Sequence, residues 1–166
     1  MSTTVRVVLV TLIFAVIGFL FGANAPLGAL IWPPAPGGPE PVGLQVPLFV
    51  LLSVSEALAF GLGIAFLIFG LPFVRRLAPN AGGWHWVAFA SIFWLLVSWL
   101  PHDNLHIHNG EDLAGLLMLE YGFHVTLMVA GGLLAWFFVR ALRERAALAV
   151  GEPQLLRAEK EHKRAA

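Results

Sequence analysis

The chain has 166 residues, of which 58% are hydrophobic and 12% charged, and its ten basic and ten acidic side chains cancel. A soluble domain carries about 25% charged residues, so water is not the expected solvent for most of this surface. The absence of cysteine excludes disulfides, iron–sulfur clusters and thiolate metal sites, and a neutral chain without basic stripes gives no footing for nucleic acid.

The first predicted element is an apolar span over Val5–Ala23, with Gly18 and Gly22 in a G-x-x-x-G pattern that lets helix backbones approach. It runs into Ala23-Asn24-Ala25, which looks like the A-x-A end of a signal peptide. The run is long for a signal segment, and Pro26 would follow the cut, so a retained span is expected. The connection Asn24–Gln45 is too rich in proline and glycine for a continuous helix.

The second span is expected at about Val46–Val74. Glu56, Gly63 and Gly70 fall at heptad spacing on it, which predicts a seam with Glu56 turned inward. The third is expected at Trp84–Leu100, with His85 between Trp84 and Trp86 as a membrane-interface anchor. The stretch Pro101–Asp112, PHDNLHIHNGED, then gathers His102, His106 and His108. Pro101 suits the first turn of a short interfacial helix. Asn109-Gly110 reads as a turn, with Glu111 and Asp112 as the acidic start of the next helix.

The fourth span is expected at about Asp112–Arg140 and carries Glu120 and His124 on one helical face. Gly151-Glu152-Pro153 is expected to break the helix beyond it, leaving His162 solvated. Residues 1–145 thus read as one four-span domain and 146–166 as a short charged cytoplasmic tail.

Lysine and arginine fix an orientation. None lies between the first and second spans or between the third and fourth. Arg6, Arg75, Arg76 and the cluster from Arg140 onward occupy the other side. Positive charge stays inside, so both termini are expected in the cytoplasm and the histidines outside. The fold class predicted is an all-α, four-helix, multi-pass membrane bundle. The excess of arginine over lysine fits a bacterial inner membrane.

Ionisable groups inside a span usually face the bundle interior or a wet cavity. By residue count Glu56 and Glu120 lie at one depth, with His124 a turn deeper. The expected site is therefore a transition-metal centre built from His102, His106, His108, Glu120, His124 and Glu56. Imidazole with carboxylate suits zinc, copper(II), iron or manganese, and haem or nucleotide is not expected. No H-E-x-x-H occurs, and a lone Glu-x-x-x-His is not the paired Glu-x-x-His of di-iron bundles. A metalloenzyme or an accessory subunit of a membrane complex is the leading reading, with lipid, other membrane subunits or a second copy as partners. The alternatives are a structural subunit whose histidines form a polar cap, and a proton- or solute-conducting protein.

Overall fold

The computed structural model describes every residue except 34, 36–40, 111 and 166, and side chains as far as residue 147. The described residues form helices and turns without strands: α1 (Thr3–Leu20), a 3₁₀ turn (Gly28–Leu30), α2 (Gln45–Phe69), α3 (Leu71–Leu77), α4 (Trp84–Val97), α5 (Trp99–Asn109), α6 (Leu113–Leu119), a π turn (Glu120–Val125) and α7 (Thr126–Ala165). Three helices are long and apolar enough to cross a membrane, α1, α2 and the stretch Leu113–Ala147. A fourth follows if α4 and α5, bent by 44°, count as one span.

The breaks have local causes. Proline lacks the N–H that would bond four residues back, and its ring crowds that carbonyl. Pro101 therefore cannot bond Val97, and the chain bends at Ser98 between α4 and α5. Pro72 acts likewise in the first turn of α3, where the second predicted span breaks at Gly70. The break expected at Gly151-Glu152-Pro153 is not found, and α7 runs through it. Alanine, leucine, glutamate, lysine and arginine around it are strong helix formers, which offsets one lost hydrogen bond.

The principal packing runs in a row, α1 on α2, α2 on α4 and α4 on α7, with α5 also against α2. Glycines set the close approaches. A Cβ on Gly61 would stand 2.2 Å from the Thr11 carbonyl oxygen of α1, and one on Gly63 would stand 2.4 Å from Val97. The predicted seam residue Gly63 thus does meet a neighbour, while Gly70 instead marks the helix break. Gly18 faces Leu100, Phe60 and Ala57.

The two ends of the molecule differ. At the arginine end Val74, Ala78, Ala81, Ala88, Phe89, Phe137 and Ala141 form one buried cluster. His85 belongs to this end and is buried, with its Nε2 2.6 Å from the Ala78 carbonyl oxygen. That corrects its reading as an interfacial anchor. Trp86 beside it is the exposed residue and lies beneath Arg75. The histidine end is held by Asn104, whose buried Oδ1 accepts from the Ala23 N–H at 2.8 Å and ties α5 to the end of α1.

Candidate metal centre

Two helix starts bring the site together. The bend at Ser98 turns α5 so that His102 and His106, one helical turn apart, face α6 and the π turn. Opposite them, Gly110 ends α5 at φ 56°, a conformation glycine adopts without strain. Asp112 caps α6 by accepting from the Ala114 and Gly115 N–H groups, each at 3.2 Å. The predicted turn at Asn109-Gly110 and an acidic helix start are both present, and Glu111 lies outside the described residues.

Glu120 opens the π turn and His124 sits near its end. One Glu120 oxygen, Oε2, pairs with His124 Nδ1. The other, Oε1, lies 3.5 Å from His106 Nε2. His106 Nε2 in turn lies 3.1 Å from His102 Nε2. One ligand atom each of His102, Glu120 and His124 falls within 4.8 Å of the others, close enough to hold a metal ion. Ligand atoms at about 2.0–2.2 Å from a tetrahedral ion stand about 3.3–3.5 Å apart. The 3.5 Å between His106 and Glu120 matches that spacing, and the 3.1 Å between His106 and His102 is slightly shorter.

The π turn is pinned rather than loose. The Thr126 hydroxyl is shared between the Gly122 and Phe123 carbonyl oxygens at 2.6 and 3.0 Å, and itself accepts from Trp94 Nε1 of α4 at 2.9 Å. Trp94 stacks on Phe123 with ring centroids 5.7 Å apart, and Phe123 lies 5.1 Å from His102. Trp99 meets His102 edge to face. An aromatic layer therefore underlies the cluster. Its other side is open, with the Glu120 and His124 side chains each 44% exposed.

Of the six residues expected to form the site, His102, Glu120 and His124 meet, and His106 stands beside His102 and Glu120 without completing the mutually close group. His108 does not join them, because its Nδ1 lies 2.6 Å from the Pro33 carbonyl oxygen and fastens α5 to the first connection. Glu56 does not join the group either. It is buried on α2 and lines a cavity with Asp103. The row of helices explains this, since α2 and α7 pack on α4 without packing substantially on each other. Matched depth therefore did not bring the two glutamates into one cluster.

Sequence reasoning missed the π turn, Thr126 and Trp94. Single π turns inside α-helices occur often at functional sites, but no residue type announces one. The nearest signal is Gly122 with Thr126 four residues on, a glycine carbonyl and a hydroxyl that can reach it.

Compared with protein-family models, curated proteins and solved structures, the chain matches none.

The group offers two imidazoles and one carboxylate, with the His106 imidazole beside it. A divalent ion there would keep a net positive charge, and the exposed face leaves room for a further ligand. No lysine or arginine occurs in residues 77–139 to compete with a cation.

Proposed function

We propose that this chain is a four-pass membrane protein, both termini cytoplasmic, that binds one divalent transition ion through His102, His106, Glu120 and His124 on the extracytoplasmic side. The observation that carries the metal reading is the convergence of His102, Glu120 and His124 within 4.8 Å. Zinc, iron and copper(II) are the ions that imidazole with carboxylate suits. A structural site is closed by protein, whereas a catalytic one keeps a position open. The half-exposed Glu120 and His124 support an open site, and so a metal-dependent enzyme or enzyme subunit. The membrane placement is supported by three or four apolar spans and by the segregation of lysine and arginine.

A second reading has its own observation. The contacts of His124 with Glu120 and of His106 with His102 allow these groups to satisfy one another without an ion. Elemental analysis of protein purified in detergent without chelator separates the two. The metal reading expects one equivalent of zinc, iron or copper at pH 7.5. Ligating imidazole must be neutral, so occupancy falls as protons compete at acidic pH. A polar cap expects no stoichiometric metal, as isolated or after incubation with each ion.

A further inference from the structure

A cavity of about 300 Å³ lies between the end of α1, the connection after it, α2 and α5. Phe19, Phe49, Val46, Val50 and Leu100 are among its apolar walls, and Glu56 and Asp103 are the two carboxyl-bearing side chains among the described residues that line it. Glu56 is only 9% exposed, and among the described residues it has neither a hydrogen-bond nor an ion-pair partner. A buried carboxylate without a partner is costly. Among the described residues no lysine or arginine lines the cavity, although the His106 imidazole, one turn on along α5, acts on Asp103.

We propose that this cavity binds a small organic ammonium ion, with its charged nitrogen at Glu56 and Asp103 and its hydrocarbon body against the apolar walls. The volume lies at the lower end of the range for small-molecule pockets, about 300–1,000 Å³. Calcium or magnesium wants about six or more oxygen ligands, and this lining is mostly hydrocarbon. Ammonium groups need fewer acceptors, and aromatic walls such as Phe19 and Phe49 can add attraction for a cation that reaches a ring face. The site is separate from the metal centre, although α5 serves both, presenting Asp103 to the cavity and His102 and His106 to the metal cluster.

Titration calorimetry of the full chain in detergent, with n-hexylammonium and the neutral n-hexanol as probes, tests the proposal. Hexylammonium should bind saturably at one per chain, while hexanol should only partition weakly. Glu56→Gln keeps the shape and removes the charge, and should weaken hexylammonium about tenfold or more. Its bound metal should stay at the parent level, which separates a failure here from a failure of the metal reading. Val50→Trp fills the cavity with both carboxyl groups in place and should also abolish binding, so the test survives a Glu56 variant that fails to fold. Equal binding of amine and alcohol, no saturable binding of hexylammonium, binding unchanged in both variants, or calcium occupying the site in preference to the amine would each overturn it.

Discussion

Histidine carries different duties along this chain, and its neighbours decide which. His102, His106 and His124 share one cluster, His108 holds a backbone carbonyl of the first connection, and His85 holds one inside the buried arginine end. Substitutions should separate these roles. His102→Ala or His124→Ala should remove most of the bound metal, by at least the 10–100-fold in affinity that even an orienting partner is worth. His108→Ala should leave metal content at the parent level, contrary to what sequence spacing predicts. His85→Ala should also leave it unchanged but lower thermal stability by about 1–3 kcal/mol, because the Ala78 carbonyl loses its partner in a buried setting. Metal analysis and thermal unfolding of the four variants check this, and metal loss in His108→Ala alone would return that residue to the site. The sequence made the first-rank candidates visible because histidines and acids are rare in an apolar chain. It could not rank His108 against His106, since both sit on α5 and only the path of the first connection tells them apart.

Proline and glycine act at the scale of the helix. The 44° bend before α5 is what aims His102 and His106 at Glu120. Pro101→Ala restores an N–H that can bond Val97 and allows α4 and α5 to straighten into one helix. Metal affinity should then fall about tenfold or more, although no ligand has been touched, because a ligand set must be held within about 0.5 Å of its working geometry. Helical content should not fall, which circular dichroism can confirm beside a metal titration. Unchanged affinity would mean that the cluster does not depend on the bend. Such breaks were legible in advance at Pro101, where proline is a local instruction. The π turn was not, because it is a change of hydrogen-bond register that composition does not record. Gly61 shows the same limit: its role follows from α1 passing within 2.2 Å of where a side chain would start, and heptad spacing pointed to Gly63 and Gly70 instead.

Across the whole molecule, composition made the helices and their approximate limits readable, since apolar runs of this length have few other uses. The order of packing was hidden. Helices of similar hydrophobicity can close into a ring or lie in a row, and the placement of Glu56 turned on that choice. The orientation can be tested directly. Reporters fused at Gly110 and after residue 166 should report opposite compartments, outside for Gly110 and cytoplasmic for the C-terminus, and a shared compartment would defeat the four-pass topology. The row has a consequence for how the chain is made. After the first, each long helix has a main partner that precedes it in the chain, so the protein can be assembled in the order of its synthesis, with little searching. His102 and His106 on α5 precede Glu120 and His124 in the chain. If the cluster binds a metal, its ligand set is complete only once the last span has inserted, so ion capture would come late in biogenesis rather than serve as an early scaffold.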